Sequence, residues 1–185
     1  MRLFFAATLT FSIAAIATAH GKAGTTVELA GMKSTTPDDW KDVPLPPGSM
    51  RMMQFKIPKA DGDPEDAELA IFGLVGGGSV DANLERQEKK FELPPGKKDA
   101  VKVEKIKVGK YEAKYQDITG AYLKKAAPFD PNSKVTKMPD FRQLYVIFEA
   151  PEGNATRLYS MYLIGPAKTV EKHKKAFDDW LKNFK

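Results

Sequence analysis

Three stretches of this chain hold residue types whose spacing could do chemistry. Gly76-Gly77-Gly78-Ser79 runs into a helical pattern, and free backbone N–H groups at a helix start attract anions. Asn83 and Arg86 follow three residues apart, which sets both side chains on one helical face. Lys124 and Lys125, with Lys134 and Lys137, make the stretch from Gly120 to Asp140 basic. Gly77, Gly78, Ser79, Asn83, Arg86, Lys124 and Lys125 are thus the candidate ligand-binding residues, for an acidic or anionic partner. The glycine turn is not a P-loop, because no Gly-Lys-Ser/Thr follows. It is not a nucleophile elbow either, because Asp81 stands where the last glycine of G-x-S-x-G belongs. Its plainer reading is a tight strand-to-helix turn with Ser79 as the cap.

Metal chemistry has little to draw on. There is no cysteine, so thiolate zinc sites, iron–sulfur clusters, disulfides and a lipid-modified cysteine are excluded. The two histidines are His20 and His173. His20 would become an N-terminal amine plus imidazole if a leader were cut after Ala19, a copper-binding pair that lacks a second free histidine. His173 falls in an apolar helical stripe and reads as a core-edge residue with one satisfied nitrogen. Asp61, Asp63, Glu65, Asp66 and Glu68 cluster, but Pro64 interrupts them and the spacing is not that of a calcium loop. They read as a solvated turn. No nucleophile–base set is recognisable, no catalytic residue is assigned, and no cofactor is expected.

The start of the chain speaks about location. Arg2, the apolar run Leu3 to Ala17 and Ala17-Thr18-Ala19 form the three-part pattern of a secretory signal peptide. The protein is therefore expected to be exported, to the periplasm or beyond, without membrane insertion after cleavage. The formal charge of +5 is carried mostly by lysines alternating with acids, a solvated surface rather than a nucleic-acid footprint.

These residues need elements to position them. Residues 20–39 show little periodicity beyond Val27-Glu28-Leu29-Ala30 and read as a flexible lead-in or an edge strand, with a single domain over 40–185. Met53, Phe55 and Ile57 alternate with Gln54 and Lys56, and Leu69 to Val75 is apolar throughout, which predicts a hairpin. A helix follows Ser79, with Val80, Leu84 and Phe91 on one face, and Pro94-Pro95-Gly96 ends it. Val101–Val108 and Tyr111–Ile118 form a second hairpin around Gly109-Lys110. Gly120 to Asp140 reads as a long irregular loop. Leu144–Phe148 and Leu158–Ile164 form a third hairpin. Gly165 caps and Pro166 opens the last helix, whose stripe is Val170, His173, Phe177, Trp180, Leu181 and Phe184. The fold class predicted is α+β, an antiparallel sheet built from hairpins and packed against a middle and a C-terminal helix.

That order, with its Gly-rich turn, inserted helix and Gly-Pro entry to the last helix, resembles the PsbP-like α/β/α sandwich. This fold is shared by the extrinsic P protein of the oxygen-evolving photosystem and a Ran-binding nuclear import factor. More narrowly, Ala67-Glu68-Leu69-Ala70-Ile71-Phe72 leading to Gly76 through Asn83 and Arg86 is similar to uncharacterised exported bacterial proteins. Ile164-Gly165-Pro166-Ala167-Lys168-Thr169-Val170 is too. The central helix of that group has a tryptophan after the arginine and a glutamine before the phenylalanine; this chain has Gln87 and Lys90 there. The resemblance implies a binding module, for an envelope protein or a small anionic ligand, more readily than an enzyme. The alternative is a hydrolase-type site between the Gly-rich turn and the 120–140 loop.

Overall fold

The computed structural model describes residues 24–96, 98–127, 130 and 132–185. The expected leader, Met1 to Ala19, and His20 lie outside the described residues. In chain order the strands are β1 (Thr26–Leu29), β2 (Met32–Thr35), β3 (Lys41–Asp42), β4 (Arg51–Ile57) and β5 (Ala67–Val75). Then come α1 (Val80–Glu88), β6 (Phe91–Glu92), β7 (Val101–Val108), β8 (Tyr111–Lys125), β9 (Val135–Glu152), β10 (Ala155–Pro166) and α2 (Ala167–Lys182). The main sheet runs β3-β4-β5-β10-β9-β8-β6, with β7 also paired to β8. Every pairing is antiparallel. The α+β class predicted above is the one found.

The pleat explains why β9 and β10 are apolar in both alternations. Leu144, Val146 and Phe148 of β9, with Tyr159, Met161 and Leu163 of β10, pack into a core with Trp40, Phe177, Trp180, Leu181 and Phe184. The intervening Tyr145, Ile147 and Leu158 pack on the opposite face with Leu84 of α1. Central strands covered on both sides must be apolar on both sides. The three expected hairpins are present, the second turning at Gly109, whose φ of +54° falls in the left-handed region that glycine tolerates. The stripe on α2 is buried as expected, from Val170 to Phe184. His173 is there too, and its Nε2–H donates to the Pro58 carbonyl at 2.9 Å.

Four local expectations are corrected. Residues read as a lead-in form the β1–β2 hairpin, which buries Val27, Leu29 and Met32 in the main core. Its turn is Ala30-Gly31, both at positive φ, and an Ala-Gly pair carries a weaker turn signal than Asn-Gly. α1 ends at Glu88, so Phe91 is not on its face; it lies in β6, opposite Tyr122. The 120–140 loop is mostly strand: β8 reaches Lys125 and β9 begins at Val135. Before Phe141 β9 has no β10 partner, so Pro139 costs no ladder bond on that side. Finally, Pro166 is the cap position of α2, not its first turn, and offers no side-chain cap. Asp63 does that job from the β4–β5 turn, accepting from Thr169 N at 2.8 Å and Thr169 Oγ1 at 2.6 Å.

Candidate functional site

The site is built by what α1 leaves uncovered. This helix has only nine residues, and its apolar contact is Leu84 on Tyr145, Ile147 and Leu158. Beside it, side chains from β4, β5 and β10 project from the same sheet face and are only half-buried.

A β-bulge in β4 selects one of them. Met53 pairs with Ile71 but Arg51, two residues earlier, pairs with Phe72. Simple alternation would have sent Arg51 to the α2 side with Met53. The extra residue turns it to the α1 side, the usual effect of a bulge. There Arg51 Nη2 lies 3.1 Å from Glu68 Oε1 and donates to the Tyr162 hydroxyl at 3.2 Å. Tyr162 in turn donates to Glu68 Oε1 at 3.1 Å, and Gln54 Nε2 donates to Glu68 Oε2 at 2.9 Å. Burial first, then the Glu68 charge, pushes the Tyr162 hydroxyl well above its ordinary pKa, so it stays a donor. Tyr122 is raised for the same two reasons. Phe72 completes the wall, its ring centroid 5.7 Å from that of Tyr162.

Lys90 reaches this group from just beyond α1. Its ammonium donates to Gln87 Oε1 at 2.8 Å and stands 5.8 Å from the Tyr162 ring centroid. Neither contact carries a charge. Burial, and then the guanidiniums of Arg86 and Arg51, bring its pKa down from 10.5 to about 8. Gln87 is held from below by Gln143 Nε2 at 3.4 Å. Gln116, also buried, donates to the Leu84 carbonyl at 3.3 Å and leaves its own Oε1 without a partner among the described residues. An amide layer thus lies where a hydrophobic core would be expected. The result is three cations on this face, Arg51, Arg86 and Lys90, of which Arg51 alone pairs with the carboxylate of Glu68. Like charges brought together in a partly desolvated setting favour an incoming anion.

The residues singled out from sequence divide into two places. Ser79 caps α1, its Oγ accepting from Ala82 N at 3.1 Å. Asn83 is buried and donates to the carbonyls of Gly77 at 2.9 Å and Ser79 at 2.8 Å, while its Oδ1 accepts from Arg86 at 2.8 Å. It ties the Gly77-Gly78-Ser79 turn shut and tethers the exposed Arg86 beside it. Lys124 and Lys125 are exposed at the far end of β8, opposite Thr136 and Val135. The Gly-rich turn follows Val75, which sits in the row of Arg157 and Ala150. Those two rows of β9 are separated by on the order of 45 Å of strand. The turn and the lysine pair are not brought together. Sequence reading missed Arg51, Glu68, Lys90 and Tyr162. The one available signal was the lysine at position 90 beside Gln87.

The other face offers a cleft of about 410 Å³ between β7 and α2, lined by Lys102, Glu104, Tyr115, Asp117, Lys174 and Asp178 among others. Its two aspartates are already taken. Asp178 accepts from Tyr115 at 3.0 Å and pairs with Lys174 at 2.6 Å; Asp117 accepts two bonds from Arg142, at 2.8 and 2.6 Å. Arg142 also pairs with Glu171. Among the described residues there is no group of three or more His, Cys, Asp or Glu side chains able to hold a metal ion. The acidic turn is instead spent on structure, Asp63 on α2 and Asp66 on Lys56 at 3.0 Å. No described helix is long and apolar enough to cross a membrane.

No family model matches the chain, and no curated protein does. Among solved structures it is similar to LpqN of Mycobacterium tuberculosis, described as involved in cell envelope biogenesis. The TM-score is 0.51 at 14% identity, covering 89% of this chain and 86% of LpqN. That likeness shows a shared fold. A protein of Bacteroides thetaiotaomicron matches with a TM-score of 0.41 at 13% identity, and this chain covers 48% of its length.

Proposed function

We propose that this protein is an exported, non-catalytic module of the cell envelope that binds a small anionic ligand on its α1 face. The carrying observation is that Arg51, Arg86 and Lys90 share this face, with only Arg51 paired to a carboxylate there and the Lys90 ammonium held by the Gln87 amide and the Tyr162 ring among the described residues. Export is supported by the leader pattern of Met1 to Ala19. An envelope setting is supported by the fold shared with LpqN. The element order supports a PsbP-like reading of the sandwich, and related folds serve as binding modules. Arg86 and Lys90 take the anion, and Phe72 with the Tyr162 ring gives an apolar wall.

Isothermal titration with acetate, phosphate and small dicarboxylates tests this. Binding is expected at low salt, weakening as salt screens the exposed part of the site, and falling at least several-fold in Arg86→Gln. Equal affinity in that variant, with an unchanged melting curve, would remove the site from this face. A protein partner is the second reading, favoured by the exposed Met50, Met52, Leu74 and Val75 at the β4–β5 rim. A pull-down from envelope extract that is lost on Met52→Lys and Leu74→Lys, but not on Arg86→Gln, would favour it.

A further inference from the structure

β7 is an edge strand unlike the others. Its eight residues, Val-Lys-Val-Glu-Lys-Ile-Lys-Val, pair with β8 on one side. Among the described residues nothing hydrogen-bonds its backbone from the other side. The other outer strands of the main sheet, β3 and β6, have two residues each, too short to offer much to a pairing chain. We propose that the free edge of β7, with the cleft between β7 and α2, takes up an extended acidic segment of a partner protein as an added strand.

Register decides which backbone groups are available. Gly109-Lys110 is a two-residue turn with Gly109 at positive φ, so Val108 and Tyr111 close the hairpin as a hydrogen-bonded pair. Every second residue of β7 from there pairs in the same way. The N–H and C=O groups of Val103, Lys105 and Lys107 therefore point away from β8. Bonds to such outward groups are what a docked strand gains.

Side chains set the chemistry of the occupant. On the α2 side, Lys102, Glu104 and Ile106 border the cleft of about 410 Å³, whose apolar lining comes from Ile106, Tyr115 and Leu181. On its helix wall Lys174 pairs with Asp178, which also accepts from Tyr115, so those charges cancel. Lys102, Lys107 and Lys182 are exposed, line the same cleft and join no ion pair among the described residues. Glu104 alone offsets them. On the opposite side Lys105 stands directly across the ladder from Lys114, a like-charge pair that an acid on the open side of Lys105 would relieve. The exposed Val103 is on that side as well. A lysine-rich edge by itself guards against self-pairing. The cleft and the exposed valine give a foreign strand something to hold. An antiparallel strand thus needs acids opposite Lys107, Lys105 and Lys102, and apolar residues opposite Ile106 and Val103. The cleft opens on the α2 side, so this surface does not depend on the anion site of the α1 face.

The probe is the blocked peptide acetyl-Glu-Val-Glu-Thr-Val-Glu-amide, titrated into isotope-labelled protein. Backbone amide signals should shift along β7, and the N–H groups of Val103, Lys105 and Lys107 should exchange more slowly with solvent. Binding should weaken several-fold in the double variant Lys102→Gln with Lys107→Gln, and should weaken with added salt. The same peptide N-methylated at the residues opposite Lys105 and Val103 keeps every charge but lacks the donors, and should not bind. Equal binding of the methylated peptide would reduce the contact to charge attraction and overturn strand addition. The absence of shifts along β7, or shifts centred instead on Gln87 and Lys90, would also overturn it. A protein that sediments as a dimer without peptide, and as a monomer on Val103→Pro, which removes an N–H that β8 does not use, would give the edge to a second copy and overturn the proposal too.

Discussion

The two faces of the sheet are built on different principles. The α2 face is closed. A 16-residue helix lays Phe177, Trp180 and Leu181 on the strands, and Trp40 and Phe184 seal the edges. Its rings interlock, with Trp180 at 5.0 Å from Phe184 and 5.9 Å from Trp40. Charges at its rim are matched in pairs: Asp117 with Arg142, Asp178 with Lys174. The α1 face is open. Its helix is short, its buried layer includes Gln87, Gln116 and Gln143, and of its cations Arg51, Arg86 and Lys90 only Arg51 is paired with a carboxylate among the described residues. One face spends its side chains on stability and the other keeps polar groups that stability would not select. Anion binding is therefore sought on the α1 face.

That contrast can be broken most directly at the aromatic core. Phe177→Ala on the closed face should cost about 3–5 kcal/mol, a large share of the roughly 5–15 kcal/mol that holds a domain together. Chemical denaturation would measure it. Leu84→Ala on the open face removes the one buried leucine of α1 and should cost less, about 2 kcal/mol. An equal or larger loss at Leu84 would erase the distinction between the faces.

Smaller effects sharpen it. Asn83→Ala frees the carbonyls of Gly77 and Ser79 and releases Arg86, at a cost of about 1–2 kcal/mol. Anion affinity should fall modestly with it, because Arg86 loses its tether. Lys90 predicts a pH effect with a definite sign. Its folded pKa of about 8 lies below the ordinary 10.5, so between those values the unfolded chain holds a proton that the folded chain lacks. Stability contributed by this group therefore rises with pH across that window, and its penalty is present in full below it. Compared with Lys90→Gln, the wild-type melting temperature should be relatively lowest near pH 7 and recover toward pH 10. A gap that widens with pH would mean the ammonium is stabilised by the fold. Last, Lys124→Ala with Lys125→Ala should move stability by less than about 0.5 kcal/mol. Anion affinity should not change either, since the pair lies at the far end of β8.

The sequence by itself determined the α+β class, the three hairpins and the buried stripe of α2, because these rest on local periodicity. Apolar spacing of 2 or 3.6 is written into consecutive residues, and the turn at Gly109-Lys110 needs only a glycine at positive φ. Ser79 as a cap and His173 at the core edge were legible for the same reason. What the tertiary structure decided was everything that depends on register and distance. The bulge that turns Arg51 toward Tyr162 cannot be read from β4 alone, since it exists only against β5. Asp63 caps a helix more than a hundred positions away. The Gly120–Asp140 stretch looks irregular in composition, yet pairing between β8 and β9 makes most of it strand. The same pairing carries Lys124 and Lys125 away from the glycine turn they were grouped with. Lys90 was one lysine among many along the chain. Only folding, which gives it a half-buried place beside two guanidiniums, sets it apart.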